Sequence, residues 1–160
     1  MAVEAFLKLG DIKGESIKDG FKEQMEILAW SWGVSNSGTM HRAEGGGGQA
    51  NIQDISFTKY MDAASAALLG ASVQGTRIKE AVFSVRKAGG KPLPYLVIKL
   101  DDVLVSSYST GGSGGEDTFT ENLTLNFNKV NFSYQPQDKT GAKKGGEKVF
   151  EHDIQVGVKA

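Results

Sequence analysis

The chain has 160 residues, the size of one typical domain, and a single domain is expected over 1–160. Hydrophobic residues at 39% and charged residues at 23% exclude a disordered or membrane-spanning composition, and a net charge of −1 removes any bulk attraction to nucleic acid or anionic lipid. Cysteine is absent, which excludes disulfides, thiolate metal sites and a cysteine nucleophile.

Residues 1–16, MAVEAFLKLGDIKGES, place Glu4 and Lys8 around a short apolar stretch. They lack the basic and then long apolar plan of a secretory signal, and no run approaches the roughly 18 apolar residues of a membrane span. The period-two pattern predicts a first strand at 3–9. Residues 24–34, QMEILAWSWGV, put Leu28, Trp30, Trp32 and Val34 on one face and Ile27, Ala29, Ser31 and Gly33 on the other. The bulky face is the expected core side. The loop 35–50, with Gly45 to Gly48, carries no pattern, and a loop of that length in a compact domain implies a contact role or disorder.

A strand at 51–57 precedes the one helical segment, about 62–74. Asp62 is its expected cap, Leu68 and Leu69 lie in its Ala-rich body, and Gly75 follows its end. Strands follow at 78–87, 94–105 and 118–135. In the last of these Leu123, Leu125 and Phe127 are odd-numbered, whereas Val130, Phe132 and Tyr134 are even-numbered. The apolar phase slips by one, which predicts a β-bulge or sharp bend at Asn128–Lys129. A final strand at about 147–158 aligns Phe150, His152, Ile154, Val156 and Val158. About seven strands and one helix make a mainly β fold, an antiparallel sandwich or closed barrel with a flanking helix.

The sequence carries no catalytic, cofactor-binding or metal-binding signature. Gly45–Gly48 precedes no Lys-Ser/Thr pair, and Gly111–Gly115 opens no helix, so neither is a phosphate loop. His41 and His152 stand apart from any ligand spacing. Asp101–Asp102 and Glu116–Asp117 are adjacent pairs, which on a strand point to opposite faces rather than to one substrate. Lys139, Lys143, Lys144 and Lys148 read as a solvated loop. Trp30 and Trp32 allow an alternative reading, a carbohydrate-binding β-sandwich that stacks sugars on them.

Several stretches in order resemble the Hcp family, the haemolysin-coregulated tube protein of the bacterial type VI secretion system. They are residues 1–16, ILAWSWGVSNSGTMH at 27–41, DISFTKYMD at 54–62, RKAGG at 86–90, VLVSSYSTGGSGGEDTFTENLTLNF at 103–127 and YQPQ at 134–137. The resemblance implies an antiparallel two-sheet β-barrel with one short flanking α-helix, and a structural role rather than an enzymatic one. It also implies a homo-hexamer with a central pore, and rings stacked into a tube like that of a bacteriophage tail. The implied partners are a contractile sheath, the VgrG spike and effector proteins in the lumen, with no nucleic acid and no membrane insertion. The route it implies is from the bacterial cytoplasm out through the type VI system without a signal peptide. On this reading Thr39, Met40, His41 and Arg42, with Gly112, Gly114, Glu116 and Asp117, form subunit contacts. Ala29, Ser31 and Gly33 then face the lumen.

Overall fold

A computed structural model describes residues 3–38, 49–89 and 93–155. Ten strands and one helix follow in the order β1 (Val3–Leu9), β2 (Met25–Glu26), β3 (Ala29–Ser31), β4 (Val34–Asn36), β5 (Ala50–Ile52), β6 (Ile55–Tyr60), α1 (Ser65–Gln74), β7 (Arg77–Lys87), β8 (Leu96–Gly111), β9 (Thr120–Tyr134) and β10 (Lys148–Asp153). The main sheet is antiparallel, ordered β2-β1-β7-β8-β9-β6-β3, and β4 and β5 form a separate hairpin. Strand β8 pairs along the whole of β9. On the other side of β9, β6 pairs with Thr120–Leu125 and β10 with Lys129–Tyr134.

The two ends of this order meet in one segment. The Ile27 amide donates to the Ala5 carbonyl on β1 at 2.9 Å, and the next amide, Leu28, donates to the Thr58 carbonyl on β6 at 2.8 Å. The chain therefore changes partner strand between Ile27 and Leu28, and in doing so draws the sheet round its core. This switch corrects the single alternation expected over 24–34. Met25 and Ile27 are buried before it, while Leu28 and Val34 beyond it are each 51% exposed. Trp30 and Trp32 still turn toward the interior, with ring centroids 5.1 Å from Phe83 and 6.3 Å from Phe127.

The phase slip at 128–129 is present, and it is shared. Buried positions pass from Ile98 and Leu100 to Val103 and Val105 on β8, as they pass from Phe127 to Val130 on β9. Asp101 stays opposite Lys129 and Val103 opposite Phe127, so both strands bend together without losing register. Asp102 absorbs the bend with φ 56°, a left-handed conformation that Asp tolerates better than most residues. Its carboxylate accepts from Arg77 Nε at 2.9 Å and from the Asn128 amide. The register shift of a bulge lies instead between Val105 and Ser107 on β8.

Helix α1 ends as expected, with Gly75 at φ 62° in the left-handed cap. Its start differs. Ala64 is the N-cap and makes no side-chain bond, while Asp62 lies outside the helix and accepts the Ala64 amide at 2.9 Å. Strand β7 pairs with β8 only over Leu96–Leu104, and α1 packs on β8 beyond that point. The helix thus stands where β7 would otherwise continue. Leu68 and Ala71 close the core on that side, with Phe57, Phe83, Val105 and Leu123 within it.

Candidate functional site

On β3, β6, β9 and the distal half of β8, the side facing away from the core is built from small uncharged residues. Strand register aligns them in two rows. Ala29 lies opposite Thr58, Thr58 opposite Asn122, and Asn122 opposite Ser109; one step along, Ser31, Ser56, Thr124 and Ser107 follow in the same order. A third row, Tyr60, Thr120 and Gly111, is also uncharged. The hydroxyls bond across the strands: Thr58 Oγ1 donates to Asn122 Oδ1 at 2.6 Å, and Ser107 and Thr124 share a bond of 2.6 Å. Asp54, at the margin of this face, is held by the Ser106 hydroxyl at 2.6 Å and the Asn126 amide at 2.9 Å. Such a surface stays wetted and carries no charge within its three rows.

The opposite side of the same strands holds the fully buried charges found among the described residues. Lys59 and Glu121, directly paired across β6 and β9, are both fully buried. Lys59 Nζ donates to Glu121 Oε1, to Asp62 Oδ1 at 2.8 Å and to the Tyr60 carbonyl at 2.9 Å. Glu121 also accepts the Ser65 hydroxyl at 2.9 Å and the Tyr108 phenol. Burial, reinforced by the Glu121 carboxylate, pushes the Tyr108 phenol up to about 12. The cluster ties the start of α1 to β6, β8 and β9 at one point. Sequence reasoning missed it, although the signal was present. Lys59 falls in phase with Ile55 and Phe57, and Glu121 in phase with Leu123 and Leu125, so each is a charge at a core position.

Of the expected site residues, Ala29 and Ser31 begin the two uncharged rows. Gly33 lies past β3, half-buried against the Gln53 side chain. Gly112, Gly114, Glu116 and Asp117 all sit at the exposed tip of the β8–β9 hairpin, where the Glu116 amide donates to the Ser113 carbonyl at 3.1 Å. An added Cβ at Gly112 would lie 2.0 Å from the Phe119 ring, so that exposed ring would have to move. Thr39, Met40, His41 and Arg42 lie outside the described residues, as do Gly45–Gly48. His152 lies on β10, its ring stacked 6.3 Å from Phe150.

The two tryptophans each pack against aromatic side chains, although Trp30 remains 37% exposed. Trp30 packs on Phe83, and Trp32 stacks on Phe132 with its indole Nε1 donating to the Gln53 carbonyl at 2.8 Å. Among the described residues no group of three or more His, Cys, Asp or Glu could hold a metal ion, and no helix is long and apolar enough to cross a membrane.

Comparison with known proteins places the chain in a family. The family model described as type VI secretion system effector, Hcp, matches residues 6–134. The chain belongs to the Hcp family. It is 51% identical over 162 residues to protein Hcp1 of Pseudomonas aeruginosa, covering 100% of both chains. A solved type six secretion system protein superposes with a TM-score of 0.92 at 30% identity, over 99% of this chain and 100% of the other. Hcp1 from Salmonella typhimurium superposes at 0.82 with 31% identity over 100% of both. As an Hcp protein the chain is a type VI secretion component, and its mainly β, antiparallel fold with one short helix is shared with these relatives.

Proposed function

We propose that this Hcp chain is, over 1–160, a non-enzymatic structural subunit of the type VI secretion tube. Copies assemble into hexameric rings with a central pore. The rings stack into a tube that is ejected from the bacterial cytoplasm by a contractile sheath behind a VgrG spike, and the lumen carries effector proteins. The observation that supports this best is the pair of uncharged rows beginning at Ala29 and Ser31. A pore wall must pass folded cargo without holding it, and small wetted hydroxyls lower its affinity for any one protein surface. The exposed hairpin tip with Gly112, Gly114, Glu116 and Asp117 then suits contacts between neighbouring or stacked rings, since closure needs one patch to meet a different one.

Electron microscopy of the purified protein tests the assembly: ring-shaped hexamers support it, and a monodisperse monomer at high concentration overturns it. The lumen assignment has its own test, because the chain has no cysteine and a single introduced thiol reports one place. In assembled rings Ser31→Cys is expected to react with a small maleimide and to place a gold label inside the pore. Label density on the outer rim, or no reaction, overturns that assignment.

A further inference from the structure

Charge is divided unequally along this chain. Residues 24–76 and 103–128 hold seven carboxylates but only two cations, Arg42 and Lys59, for a formal charge of −5. The remaining residues hold sixteen cations and twelve carboxylates, for a formal charge of +4. The negative set forms β2 to β6, α1, the distal half of β8 and the proximal half of β9, which together carry the uncharged rows. Lys59 is fully buried and Arg42 lies outside the described residues, so among the described residues of this set no cation reaches solvent.

Most carboxylates near the face are already cancelled. Asp62 and Glu121 hold Lys59, and Asp102 holds Arg77. On the outward side of the other strands, Lys99 meets Glu80 at 3.2 Å and Lys129 meets Asp153 at 3.6 Å. Asp54 is different. It borders the row of Ser56 and Thr124, its bonds from Ser106 and Asn126 come from neutral groups, and it pairs with no cation among the described residues. Its negative charge therefore stays available at the edge of the uncharged face.

We propose that the pore sorts its cargo by charge: Asp54, repeated around one end of the lumen, admits and retains folded proteins with a positively charged surface and turns away negatively charged ones. The inference rests on the pore reading above and names the class of cargo. Four strands per copy in six copies, spaced about 4.8 Å apart, give a wall of roughly 18 Å radius or more. Screening at physiological salt acts over about 8 Å. A small ion on the axis thus escapes the Asp54 ring, whereas a folded protein that fills the lumen brings its surface within reach of it. Glu116 and Asp117, placed in contacts between copies, leave Asp54 as the carboxylate that cargo meets.

The test uses assembled rings and one small protein in two charge states: egg-white lysozyme, which is basic, and its succinylated form, which is acidic. Labelled probe sedimenting with the rings is the readout. At low salt the parent should retain the basic form about fivefold more than the acidic one, the effect of one or two exposed ion pairs, and high salt should remove the difference. Asp54→Asn keeps acceptors for both neighbours and should lose most of that preference with an unchanged melting temperature. Glu80→Gln, which removes a carboxylate from the outward side of β7, should keep it. Asn122→Asp adds a carboxylate within the uncharged rows and should increase it, which tests the proposal even where Asp54→Asn fails to assemble. Equal retention of both forms by the parent, an Asp54→Asn ring that sorts like the parent, or an equal loss in Glu80→Gln overturns the inference while leaving the ring intact. A parent protein that never forms rings removes the reading beneath it instead.

Discussion

Strands β6 and β9 present opposite chemistries to their two sides. Inward, Lys59 faces Glu121 with no solvent; outward, one residue earlier and one later, Thr58 faces Asn122 in water. The usual distribution of a sheet, apolar within and charged without, is locally reversed. The inner pair is tolerable because every partner is supplied: Asp62, Ser65, Tyr108 and the Tyr60 carbonyl satisfy the ions that water would otherwise solvate. The outer face bears no such constraint, and its lack of charge is the feature on which the proposed pore rests. If the pore reading holds, one surface answers to folding and the other to use, and substitutions should separate them.

The inner face should be the more fragile. Lys59→Met leaves Glu121 buried without its cation and is expected to lower stability by about 3–5 kcal/mol, measured by chemical denaturation. Replacing both, Lys59→Met with Glu121→Leu, should recover most of that loss; if the double variant is as unstable as the single, the pair is not acting as a unit.

Alkaline pH probes the same cluster. The Tyr108 phenol is raised in the folded chain, so its contribution is complete below the ordinary value of 10.0 and is lost as pH climbs toward about 12. The loss should be on the order of 2 kcal/mol, from about 1.4 kcal/mol per pKa unit. The melting temperature should fall over that window, and Tyr108→Phe should remove this part of the slope.

The shared bend gives a smaller effect. Asp102→Ala forfeits the Arg77 and Asn128 bonds and puts a residue less suited to left-handed backbone at φ 56°, so the melting temperature should fall, by less than for Lys59→Met. Asp102→Asn should cost less than half as much.

On the outer face, Asn122→Lys should move monomer stability by no more than about 0.5 kcal/mol. In a ring it would set several cations around one pore. The assembled fraction seen by sedimentation should therefore drop at low salt and return as salt screens the repulsion. A monomer destabilised as much as Lys59→Met would erase the distinction between the two faces.

Strands with a clear period of two were legible from the residues alone. Those at 3–9 and 78–87, and the helix ending at Gly75, stand within a residue of β1, β7 and the end of α1. The segment 24–34 was legible as apolar but not as to which side is inside. Its inward side is set by two different partner strands in succession, and alternation encodes only that adjacent side chains oppose each other. The slip at Asn128–Lys129 was visible because apolar residues mark it; that β8 bends in concert around Asp102 was not, since a shared bend depends on pairing. Among the candidate site residues, Ala29 and Ser31 were found as a small face, yet their continuation through Thr58, Asn122 and Ser109 exists only across strands far apart in sequence.

The sequence by itself determined several of the strands, the end of the helix and the family, because these are written in local patterns and in stretches of adjacent residues. Tertiary structure alone decided which uncharged residues share a face, which charges meet in the interior and which margins of the sheet remain open. Each of these is a property of register and closure, and hydrogen bonds between distant strands establish both.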